Sequence, residues 1–69
     1  RNIEVVAARL TLAADAAAQA QNLVNRARDL ALAAGSESAN ADDRAVAARE
    51  IDLIVEQMQA LTGSRDASG

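Results

Sequence analysis

The chain has 69 residues, a formal net charge of −3, and no Cys, His, Pro, Phe, Tyr or Trp. That length bounds it to one small domain at most, and it is expected to be a piece of one, because so short a chain buries little surface on folding. Disulfide frameworks and thiolate metal sites are excluded by the missing cysteine. The missing histidine removes the commonest general base and metal ligand. An acidic balance whose basic residues are all arginine, with no basic cluster, argues against a nucleic-acid partner. The apolar content rests on Ala, Leu, Val and Ile, a composition that favours helix.

In chain order, small and apolar residues fall at Ile3, Val6, Leu10, Ala13, Ala17, Ala20, Val24, Ala27, Ala31 and Ala34. The spacing alternates three and four without a slip, which predicts one long helix over residues 2–34 with this stripe as its packing seam. Leu23 and Leu30 widen the stripe towards its end. Such a helix runs about 50 Å at 1.5 Å per residue, a length that suits a rod. Its middle is all alanine, which lets a neighbouring backbone come close but contributes little apolar area. A larger side chain at Ala17 is therefore expected to crowd the seam. Glu4, Arg9 and Asp15 interrupt the apolar positions well short of a membrane span or of the unbroken core of a cleaved signal peptide, so no membrane partner is expected.

Gly35 follows the last periodic residue and is expected to cap the helix in the left-handed conformation. Residues 35–40 read as a polar turn, short enough to bring the next helix back antiparallel. Asn40 is the expected N-cap, with Asp43 three residues on in a shortened capping box, and Asp42 and Asp43 sit where the helix dipole favours negative charge. The same acid pair is a weak candidate for a cation site, since no His supports it.

The second helix is predicted over residues 41–62. Its stripe is Ala47, Ile51, Ile54, Met58 and Leu61, with Val46, Leu53 and Ala60 in a line beside it. Thr62 and Gly63 are expected to end it, leaving residues 63–69 as a tail. The fold class is thus all-α: an antiparallel two-helix hairpin expected to pack into a bundle or coiled coil with other helices. Branched side chains are few against the number of residues to be ordered, so the hairpin needs helices against it and is expected to self-associate when isolated.

Catalytic chemistry has no foothold. The candidate nucleophiles are Ser36, Ser38, Ser64, Ser68, Thr11 and Thr62, and none has a base nearby in sequence. No phosphate-cradling glycine loop occurs, and the acidic pair Asp52 and Glu56 lies on a solvated helix face. No enzyme activity, metal or cofactor is expected.

Three runs carry a resemblance. Residues 22–34, NLVNRARDLALAA, resemble the flagellin-family segment NLLxRARELAxQA. Residues 43–51, DRAVAAREI, follow the family's DR-A-A-x-EI pattern after a small polar loop. Residues 60–69, ALTGSRDASG, are similar to the LANTRDASG run of the hook–filament junction branch, the type 3 hook-associated proteins. Thr62-Gly63 stands where that branch usually has Ala-Asn, and Gly35 takes a place often held by a longer side chain. The resemblance covers nearly the whole chain in the right order. It implies a structural protein of the bacterial flagellum, exported by the flagellar type III route without a cleaved signal peptide. It also implies a rod-domain hairpin packed on other helices of its own subunit and on neighbouring flagellin or hook-associated subunits.

Two classes remain open on the residues. One is an assembly protein with permanent helix contacts spread along its length. The other is a stand-alone helical adaptor binding a partner helix reversibly, which should show a discrete aromatic or arginine anchor.

Overall fold

The computed structural model describes the backbone of residues 2–68 and the side chains of residues 2–63. Helix α1 (Asn2–Ala34) and helix α2 (Ala41–Ser68) fold back on each other as an extended hairpin, with no strand among the described residues. Its Cα atoms span 57 × 17 × 9 Å, and the radius of gyration is 16.5 Å. A compact chain of this length would have a radius of about 11 Å. The hairpin is a rod two helices wide.

The turn is built from hydrogen bonds to polar groups of both helix ends. At the end of α1 the Gly35 amide donates to the Ala31 carbonyl at 3.0 Å. The Ser36 amide and hydroxyl both donate to the Ala33 carbonyl, at 3.3 and 2.9 Å. At the start of α2 the Asp43 amide donates to Asn40 Oδ1 at 2.8 Å, and the Asn40 amide donates back to Asp43 Oδ2 at 3.1 Å. This reciprocal pair satisfies two amides that a helix N-terminus otherwise leaves open. Arg44 then reaches across the turn. Its Nε donates to the Ala34 carbonyl at 3.1 Å and its Nη2 to the Ala39 carbonyl at 3.2 Å. The last turn of α1 carries no basic residue of its own, so the Arg44 guanidinium supplies the positive charge that a helix C-terminus attracts.

Two expectations are corrected here. Gly35 does not adopt the left-handed conformation, since no glycine has a positive φ among the described residues. The helix ends instead through the tight Ser36–Ala33 bond and the Arg44 side chain, which do the work a left-handed cap would do. The helix end placed at Thr62–Gly63, with a tail over residues 63–69, is also corrected: α2 runs on to Ser68. Glycine inside a helix costs about 1 kcal/mol relative to alanine but removes no hydrogen bond, and no proline follows to stop the helix. Gly69 lies outside the described residues.

Between the helices the packing is thin. Among the described residues only Ala47 and Ile54 are buried, at 7% and 4% exposure. Half-buried beside them on α2 are Glu50, Ile51, Met58 and Leu61, and on α1 Ala16, Ala20, Leu23, Ala27, Leu30 and Ala34. The half-buried positions of α1 mark the side it turns to α2. The α1 side of the seam therefore alternates four and three along 16, 20, 23, 27, 30 and 34. Ile3, Val6, Leu10, Ala13, Ala17, Val24 and Ala31, placed on the seam by spacing, lie exposed. Both stripes share Ala20, Ala27 and Ala34, and their centres differ by roughly 60° around the helix. The helix turns towards the stripe holding Leu23 and Leu30 because two leucines bury more apolar area than Val24 and Ala31 would. Within the hairpin, then, Ala17 has room for a larger side chain.

Two stability changes test this packing. Ile54→Ala should cost about 2–5 kcal/mol as read by thermal unfolding of the helical circular dichroism signal. Leu32→Ala, at an exposed position, should stay within about 0.5 kcal/mol. At Gly63 a Cβ would meet nothing within 4 Å and the backbone is helical, so Gly63→Ala should raise stability by about 0.5–1 kcal/mol. At the turn, Asn40→Ala should cost about 1 kcal/mol by the same measurement, and Arg44→Met about 0.5–1 kcal/mol.

Candidate interaction surface

Among the residues the fold presents outward are many large apolar side chains. Ile3 is 83% exposed and Leu10 66%; Val5, Val6, Leu12, Val24 and Leu32 are exposed along the rest of α1, and Val46, Leu53 and Val55 on α2. The total accessible surface is 5602 Å², against about 4,100 Å² for a compact monomer of this size. These side chains are spread from the first turn of α1 to the middle of α2 rather than gathered into one patch.

The exposed stripe on α1 is regular. Ile3, Val6, Leu10, Ala13, Ala17 and Val24 keep the three-and-four spacing of a packing face although α2 covers none of them. Alpha1 thus carries two adjacent seams. The inner one, through Ala16, Leu23 and Leu30, holds the hairpin; the outer one is uncovered. On α2 the positions Ala47, Ile51, Ile54, Met58 and Leu61 all lie on the inner seam, buried or half-buried. Sequence spacing missed Ala16 and Glu50, which lose exposure inside the hairpin, and Arg44, which ties the turn. The absence of a cation in the last turn of α1 was a signal for Arg44, since some positive group was wanted there.

The polar side chains singled out by type do structural work. Asp43 closes the capping box. The Thr11 hydroxyl donates to the Ala7 carbonyl at 3.0 Å, and that of Thr62 to the Met58 carbonyl at 3.1 Å. Ser36 and Ser38 share a hydrogen bond of 3.1 Å at the turn. The side chains of Ser64 and Ser68 lie outside those described. Among the described residues no group of three or more His, Cys, Asp or Glu is placed to hold a metal ion. Likewise, none of the described helices is long and apolar enough to cross a membrane.

Two open depressions mark the surface. One, of about 310 Å³, lies at the turn between Leu30, Ala33, Val46 and Glu50. The other, of about 450 Å³, runs along α2 past Val55, Met58 and Thr62. Both are open to solvent rather than enclosed. Comparison with protein-family models, with curated proteins and with solved structures returns no match to this chain.

Proposed function

We propose that this chain is an assembly segment: a rod-domain hairpin of a flagellin-type subunit, of the hook–filament junction branch, whose uncovered faces are packed by further helices. The single observation that carries the assembly reading is the distribution of exposed apolar side chains over the whole rod. A reversible adaptor concentrates its binding energy in a few aromatic or arginine anchors, whereas this chain has no aromatic residue. Its outer α1 stripe instead offers many small contacts, which become strong only when made together along the length. The flagellar part of the reading is supported by the residues of the three runs at 22–34, 43–51 and 60–69 and by the hairpin that joins them in order.

The test is localisation. An antibody raised against the 69-residue chain should decorate isolated flagella of the source bacterium at the joint between hook and filament under the electron microscope. Label along the whole filament would instead make the chain part of flagellin itself. Label confined to the cell interior would overturn the flagellar reading and favour the adaptor.

A further inference from the structure

We propose that Met58 is a redox-sensitive modification site: a peroxide converts its thioether to the sulfoxide, and the added oxygen loosens the open end of the hairpin. The site stands whether or not the chain belongs to a flagellum. Met58 is the only methionine, and with no cysteine present it carries the only sulfur in the chain. It is half-buried on the inner seam of α2, one helical turn beyond Ile54, the more deeply covered of the two buried residues. It also lines the open depression with Val55, Gln59, Thr62 and Gly63. The same side chain thus belongs both to the seam and to a surface that a small oxidant reaches.

Position along the rod decides what oxidation does there. Antiparallel helices of equal rise, joined over residues 35–40, bring Met58 level with roughly residues 16–20 of α1. Ala16 and Ala20 are the half-buried residues of α1 at that height, and from Asn2 to Asp15 every residue is exposed. The covered part of α1 therefore begins beside Met58. Opposite two alanines, a long, unbranched thioether fills space that neither alanine fills. Towards the turn, Ile54, Ala47 and the Arg44 bonds hold the helices together; beyond Met58 the described seam has only half-buried Leu61. In the reaction the sulfur attacks one oxygen of hydrogen peroxide, the O–O bond breaks and an S–O bond forms. The departing hydroxide takes the proton from the sulfur-bound oxygen and leaves as water. Sulfur gives up an electron pair and the peroxide takes it. The product is polar where the thioether was apolar. Its oxygen finds no donor on the seam, because alanine side chains have none and the amides inside a helix are already bonded. The side chain then turns to water and leaves its layer.

Hydrogen peroxide added to the folded chain should add the mass of one oxygen atom, located at Met58 by fragmentation mass spectrometry. The thermal midpoint of the helical circular dichroism signal should then fall by roughly 4–8 °C. Methionine sulfoxide reductase should restore it. Met58→Leu should show no shift of midpoint under peroxide. Met58→Gln, polar at similar length, should lower the midpoint with no oxidant present. Complete oxidation with an unchanged midpoint would overturn the proposal, as would oxygen uptake only in denaturant. An equal fall in Met58→Leu would overturn the assignment to this side chain. A chain with no cooperative transition before oxidation would overturn the seam on which the site rests. A peroxide-insensitive chain together with antibody-labelled flagella removes this site and leaves the flagellar reading standing, while a peroxide-sensitive chain with no label on flagella does the reverse.

Discussion

The structure depends on how little side chain there is between its two helices. Ala16, Ala20, Ala27 and Ala34 on α1 let α2 approach closely, and among the described residues Ile54 and Ala47 alone are buried. Dispersion and apolar burial grow with the atoms brought together, so a seam of alanines with two leucines holds a hairpin only weakly. The same alanines that permit close packing limit what the packing is worth. Every exposed branched side chain on the rod follows from that constraint, because two narrow helices cannot cover each other's full circumference.

A seam of this kind is also poor at fixing its own register. Ala20, Ala27 and Ala34, with Leu23 and Leu30 between them, repeat every seven residues, so one heptad of α1 offers α2 much the same layer as the next. The turn supplies what the seam lacks. The Asn40–Asp43 pair sets the first residue of α2, the Ser36–Ala33 bonds set the last turn of α1, and Arg44 bonds Ala34 and Ala39 together. These are short-range, directional contacts, and they fix one alignment of the two helices. Position is fixed by hydrogen bonds at one end; cohesion comes from the layers along the length.

That division bears on function. On the proposed reading, a hydrogen-bonded turn with a long, lightly buried rod becomes part of a larger helical array, where each uncovered stripe gains a neighbour. The outer stripe of α1, from Ile3 to Val24, follows the spacing of the inner one but has none of the described residues of α2 against it. The hydroxyls of Thr11 and Thr62 are turned back onto helix carbonyls, which leaves the rod surface to packing.

By itself the sequence determined two helices, the polar turn between them and the antiparallel return, because helix propensity, three-and-four periodicity and turn length are local properties of the chain. On α2 the apolar periodicity also marks the buried line, since Ile51, Ile54 and Met58 outweigh their neighbours in size. On α1 it could not choose, because Ala20, Ala27 and Ala34 belong equally to two stripes and both obey the same spacing. Only the tertiary structure decided between them, turning Leu23 and Leu30 inward because α2 gains more area there. It decided the two helix ends as well: Gly35 had no need of a left-handed backbone once Arg44 reached Ala34 from the next helix, and Gly63 was too mild a break to stop α2. Spacing reads a face off one helix; which face is covered depends on the bulk and position of the other.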